Sequence, residues 1–249
     1  MVSEASDPGR ASGLSRRRRL AARPTGWKGF LRDLVVIVLA AVLVSALVKT
    51  FLVRSFFIPS PSMAPTLQVD DRILVNQLQP RLAPLAHGDI VVFRDPGGWL
   101  TSGDAPATDP SWIEQALGVI GLTAPDSREH LVKRVIGLPG DHVVCCNGIG
   151  QMTINGVPVD EADYADYAGN QRASRDDFDV TVPDGALWVE GDNRYDSQDS
   201  RFHLDTAERG FVPLEDVVGR AVVITWPVGR WAWLDDHPAV FADVPEREG

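Results

Sequence analysis

The chain has 249 residues, enough for one sizeable domain with appendages, and its 44% hydrophobic and 23% charged residues exclude a largely disordered or multi-span protein. The formal net charge of −10 is unevenly spread, because eight Lys and Arg against Glu4 and Asp7 give residues 1–32 a balance of +6 and leave −16 for the remainder. So acidic a body lacks the basic face that phosphate contacts need, which argues against nucleic-acid binding.

In chain order, residues 1–30 are rich in Arg, Ser, Ala and Gly without a hydrophobic period and read as a basic cytoplasmic tail. Residues 34–53 then form an almost unbroken apolar run, about 30 Å long as a helix, which matches the hydrocarbon thickness of a bilayer. The run predicts a transmembrane anchor over 31–54. A cleaved secretory signal is the alternative, but Ser45-Ala46 lies inside the run and residues 47–57 are still mostly apolar. Basic residues crowd the amino-terminal side and only Arg54 comes closely after the run, so the amino terminus is expected in the cytoplasm and the body outside.

Residues 55–235 are expected to form a mainly β domain. Short stretches rich in β-branched residues at 72–75, 89–93, 131–136, 142–146, 180–182, 186–190 and 221–226 predict strands, with Asn147-Gly148 and Asn155-Gly156 as hairpin turns. Residues 94–129 read as a Gly, Pro, Asp and Ser-rich insertion holding one helix over 111–122. Residues 146–185 read as a small subdomain and 236–249 as a carboxyl-terminal tail. The only cysteines, Cys145 and Cys146, are adjacent. Strand alternation would point them to opposite faces, so free thiols are expected over a strained vicinal disulfide or an intermolecular bridge. The pair alone builds no zinc site, and no metal or cofactor is expected.

Three segments carry chemistry. Ile58-Pro-Ser-Pro-Ser62-Met-Ala-Pro-Thr-Leu67 comes just after the apolar run. In His130-Leu-Val-Lys133-Arg-Val-Ile136, alternation puts Leu131, Lys133 and Val135 on one face, so the lysine has apolar neighbours. Burial disfavours its charged form, and a desolvated lysine is a usable base for serine. Gly191-Asp-Asn-Arg-Tyr-Asp-Ser197-Gln-Asp199-Ser-Arg201 comes directly after the predicted strand over 186–190. Any one of these segments alone could be a turn or a solvated edge.

Taken in order behind an amino-terminal apolar run, Ser-x-Ser-Met-x-Pro-Thr-Leu, Lys-Arg-Val-Ile-Gly-Leu-Pro-Gly-Asp and Gly-Asp-Asn-Arg closely resemble the bacterial type I signal peptidases. The resemblance implies an antiparallel β-sheet peptidase domain of that type behind one transmembrane helix. It also implies a Ser-Lys dyad in which Ser62 is the nucleophile and Lys133 the general base, with the Ser62 amide and the Ser60 hydroxyl forming the oxyanion hole. Ser197 would orient Lys133, and Asp192, Asp199 and Arg201 would support the wall, the last two as an ion pair. Ile58, Met63, Leu67 and Val132 would line shallow pockets for small side chains, with signal-peptide-bearing preproteins as substrates, the bilayer as a second partner and the substrate bound as an added strand. Pro61 stands where the family more often has glycine, and it pushes Ser60 towards an extended backbone.

Three rival readings remain. A self-cleaving repressor-type Ser-Lys protease lacks the expected anchor. A Ser-His-Asp hydrolase could draw on His87, His130, His142, His203 or His237, none of which sits in a comparable motif. A tethered β-rich binding module would use an exposed sheet edge.

Overall fold

The computed structural model describes residues 26–100 and 130–245. Residues 1–25 of the basic tail and the predicted helix over 111–122 lie outside the described residues. A helix α1, Trp27–Phe51, is succeeded after one residue by a strand β1, Val53–Phe57. Among the described residues, no helix is long and apolar enough to cross a membrane. The side chains of residues 46–51, part of the apolar run, lie outside the described residues. The run also ends earlier as a helix than its hydropathy implied, because Val53 already pairs with Asn76 in a sheet.

The body is antiparallel β, as its β-branched stretches predict. The further strands are β2 (Arg72–Asn76), β3 (Ile90–Arg94), β4 (His130–Gly137), β5 (His142–Cys145), β6 (Met152–Ile154), β7 (Val157–Pro158), β8 (Phe178–Thr181), β9 (Ala186–Glu190), β10 (Val212–Pro213), β11 (Val217–Trp226) and β12 (Ala232–Trp233). A large sheet runs in the order β1-β2-β11-β3-β4-β9-β10, with β12 on β11, and a four-stranded sheet runs β7-β6-β5-β8. The two faces of the central strands feed separate cores. Ile90 and Val92 pack with Phe56, Ile58, Met63, Leu67 and Ile73, while Val91 and Phe93 pack with Leu131, Val135, Leu187 and Val189. Burying such side chains stabilises each face by about 1.5–3 kcal/mol per residue.

The small sheet packs its own core of Val143, Met152, Ile154 and Phe178 against Trp188 of β9. Asn155 and Gly156, with φ of 54° and 81°, make the two-residue turn between β6 and β7. The other expected hairpin is a longer loop, where Asn147 Oδ1 accepts from the amides of Ile149 and Gln151, and Gly150 takes the positive φ.

Two expectations need correction. Cys145 and Cys146 are joined as a vicinal disulfide. Strand pairing ends at Cys145, so the alternation that separated the two side chains does not reach Cys146. The segment expected as a carboxyl-terminal tail over 236–249 packs onto the body in its described part, 236–245. Phe241 and Val244 are buried in the core that holds Trp188, and Phe241 stacks on His87 at 5.5 Å.

Candidate active site

Ser62 sits on one turn of 3-10 helix, Pro61–Met63, directly after β1 and the link through Ile58. Pro61 fixes the first position of that turn, and Ser60 before it is extended at φ −129° and ψ 156°, as the residue preceding a proline prefers. The turn is closed by Ala64 N–H donating to Pro61 O at 2.9 Å and continued by Leu67 N–H to Met63 O at 2.8 Å. Asn193 ties it to the far wall, its amide donating to Ser62 O at 3.1 Å and its Nδ2 to Pro61 O at 3.4 Å. The loop can come this close only because residue 191 is glycine. A Cβ there would overlap Ser62 O and Ser197 Oγ.

The strand β4 supplies Lys133 from the face that carries Leu131 and Val135. Its side chain is 4% exposed and its Nζ donates to Ser62 Oγ at 2.8 Å. Ser60 Oγ stands 3.2 Å from the same oxygen. Burial pushes the lysine down to about 8 from 10.5, against the pull of Asp199 and Asp192 and with the help of Arg201. No histidine replaces it, since Ser62 Oγ has only Lys133 and Ser60 as hydrogen-bond partners among the described residues. The histidines are engaged elsewhere, His87 with Asp141 at 2.7 Å and His203 with the Asp199 carbonyl at 2.7 Å.

Behind the lysine lies a wall of buried charge. Asp199 accepts from Arg201 Nε and Nη2 at 2.8 and 2.6 Å and from Gly191 N–H at 2.9 Å. Burial opposes its ionisation, but Arg201 and these bonds hold its carboxyl below the usual value. Asp192 takes a two-pronged bond from Arg134, Nε to Oδ1 at 2.8 Å and Nη2 to Oδ2 at 2.7 Å. The remaining Arg134 nitrogen donates to the carbonyls of Gly88 and Asp235 at 2.7 and 3.0 Å.

The structure therefore brings Ser62, Lys133, Ser60, Asp192, Asp199 and Arg201 into one neighbourhood. It departs from the sequence reading at two points. Ser197 Oγ is buried and makes no hydrogen bond among the described residues, so the expected bond to Lys133 is absent; the oxygen packs against Gly191 instead. Ile58, Met63 and Leu67 are fully buried in the core beneath the turn, and only Val132 among the four expected pocket residues keeps partial exposure. Alternation from the buried Phe56 carries Ile58 inward, and the 3-10 turn after it packs Met63 and then Leu67 into the same core rather than onto an open wall.

Sequence reasoning also missed Arg134, Arg194, Glu190 and Glu161, all of them buried. A charge in the middle of an apolar strand, as at Arg134 between Val132 and Ile136, was the available signal.

Residues 31–226 match the family described as signal peptidase, peptidase S26. The chain belongs to this family. It is 38% identical over 221 residues to signal peptidase I of Mycobacterium tuberculosis (strain CDC 1551 / Oshkosh), covering 81% of this chain and 74% of that protein. It is 33% identical to signal peptidase I of Leptolyngbya laminosa, over 88% of this chain and 91% of that one. Signal peptidase I U of Bacillus subtilis (strain 168) is 30% identical over 78% of this chain and 89% of its own length. A solved signal peptidase I from Enterococcus faecalis V583 aligns with 25% identity and a TM-score of 0.33, covering 55% of this chain and 95% of that one. As a member of the S26 signal peptidases, the chain is a bacterial type I signal peptidase and a serine peptidase.

Proposed function

We propose that this chain is a membrane-anchored peptidase that removes signal peptides from exported preproteins after small residues, with Ser62 as nucleophile and Lys133 as general base. The observation that carries the reading is the 2.8 Å contact between Lys133 Nζ and Ser62 Oγ inside a buried site. At low pH the ammonium donates to the hydroxyl and is no base. Once the amine has lost its proton, near pH 8, the same contact lets Oγ–H donate to Nζ. Oγ then attacks the scissile carbonyl while Nζ takes the proton. The negative oxygen so formed is met by the Ser62 amide and the Ser60 hydroxyl, and Lys133 returns the proton to the leaving amine. Water, deprotonated by the same lysine, hydrolyses the acyl ester and frees Ser62. Asp192, Asp199 and Arg201 hold the wall, and Val132 with the surface over Met63 receives the small side chains.

Two observations support the membrane part. The side chains of α1 at Val35, Ile37, Leu39, Val42 and Leu43 are all exposed, and the apolar sequence continues to residue 53. Helices apolar on every side belong in lipid. Trp226, exposed by 54%, pairs with Arg72, which also pairs with Phe57, the last residue of β1 before the Ser62 segment. Exposed Trp231 and Trp233 extend the aromatic set, and such rings favour the bilayer interface.

Cleavage of a preprotein by the full chain in detergent tests the reading. Ser62→Ala is expected to abolish turnover, and Ser60→Ala to leave a remainder lowered about 100- to 1,000-fold. Turnover by folded Ser62→Ala would end it.

A further inference from the structure

Glu190 is the buried group that the dyad leaves unexplained. It ends β9, is wholly buried, and lies opposite Arg134 in the β4–β9 pairing. Its Oε1 accepts from Trp188 Nε1 at 3.1 Å, while its Oε2 accepts from Arg194 Nη1 and stands 3.6 Å from Arg201 Nε. The Arg194 guanidinium is shared with Glu161, at 2.6 Å, and Glu161 also accepts from Tyr164 and Tyr167 at 2.6 and 3.2 Å. Arg201 is shared with Asp199, whose charge bears directly on Lys133. An unbroken chain of buried ion pairs therefore runs from residue 161 to the wall behind the amine.

The charges in that chain do not balance. Arg134 and Asp192 neutralise each other. What remains is Glu161, Glu190 and Asp199 against Arg194 and Arg201, so one negative charge is left over whenever all three acids are ionised. In a buried site an excess charge attracts a proton. The buried groups that can hold it include the Lys133 amine and the Glu190 carboxyl.

Resting on the Ser-Lys reading, we propose that Glu190 is a positioning residue for the dyad: by sharing Arg201 with Asp199, its carboxylate sets the net charge that the wall presents to Lys133, and with it the pH at which the amine can take the Ser62 proton. The groups that face Glu190 are Trp188 on its own strand, Arg134 on β4, Arg194, Asp199 and Arg201 on the loop and 3-10 turn after β9, and Glu161 with Tyr164 and Tyr167. Burial holds the Glu190 carboxyl above its ordinary value even against Arg201 and Arg194, as expected of an acid that competes for a proton.

An ionised Glu190 favours the ammonium form of Lys133, so removing its charge releases the lysine proton at lower pH. Glu190→Gln keeps the shape, and it leaves Arg194 paired with Glu161 and Arg201 with Asp199.

The test is the pH dependence of kcat/KM for preprotein cleavage by the full chain in detergent. Glu190→Gln and Glu190→Met are expected to move the midpoint of the acid limb down by about half to one pH unit. At pH 6 that is about a 3- to 10-fold gain relative to each variant's own plateau. Glu161→Gln, one guanidinium further away, should move it the same way by less. A uniform loss of rate with the midpoint in place would mean a merely structural role and overturn the proposal. If neither Glu190 variant folds, an unmoved midpoint in Glu161→Gln overturns it. Turnover in Lys133→Ala would instead refute the dyad and leave Glu190 nothing to tune, so the two failures are told apart.

Discussion

The two halves of the active site are built differently. The Ser62 side is a local turn, held by main-chain hydrogen bonds, by Pro61 and by an apolar floor of Ile58, Met63 and Leu67. The Lys133 side is held by buried side-chain charges contributed by β4, β9 and the loop after β9. The difference matches the roles proposed for the two groups, Ser62 as nucleophile and Lys133 as base. A nucleophile has to be in one place, which backbone geometry secures at little electrostatic cost. A base has to change protonation state, which only burial and neighbouring charge can tune.

The largest expected effect tests whether the lysine side works by proton transfer or by charge alone. Lys133→Arg keeps a cation at the position but cannot accept a proton, so activity should fall about 10,000-fold or more, as in Lys133→Ala. Preprotein cleavage by Lys133→Arg within tenfold of wild type would mean that the Lys133 side acts only as a fixed charge.

Next comes Arg134→Ala. It strands the buried Asp192 carboxylate and frees the carbonyls of Gly88 and Asp235. Leaving one partner of a buried pair costs about 3–5 kcal/mol, readable as a lowered denaturation midpoint. A loss below about 1 kcal/mol would show that the wall is not held together by its charges.

The smallest effect has the opposite sign. Lys133 keeps its proton up to a pH of about 8 when folded and of about 10.5 when unfolded. Between those values the unfolded chain binds more protons, so wild-type stability rises with pH across that window. Below pH 8 the folded state carries the full penalty, about 3 kcal/mol for the interval from 8 to 10.5. Lys133→Met should therefore be inactive yet more stable than wild type at pH 7, with the gap closing as pH rises through 8 to 10.5. Denaturation at pH 7, 9 and 11 measures it, and a gap independent of pH would mean that the amine is not desolvated in the folded enzyme.

The sequence by itself determined what depends on neighbours along the chain. Short β-branched stretches marked most strands of the large sheet, Asn155-Gly156 marked a hairpin of the small sheet through the positive φ both residues tolerate, Pro61 dictated the extended Ser60, and strand alternation put Lys133 among apolar residues. The short strands β6, β7, β10 and β12 were not legible, because two or three residues carry no period and owe their conformation to the strand beside them. The same holds for β1, whose Val53 continues an apolar run but is taken by Asn76 as a sheet partner. At the site, sequence could name Lys133 but not the full set of acids and guanidiniums behind it. Glu161 lies far along the chain from Glu190 and Arg194, and a buried charge is tolerable only where its counter-ion is delivered from another element. Which carboxylate meets which guanidinium, and so the charge felt at Lys133, is decided by packing, because electrostatic energy depends on distance through space and on the exclusion of water, and neither is written in the order of residues.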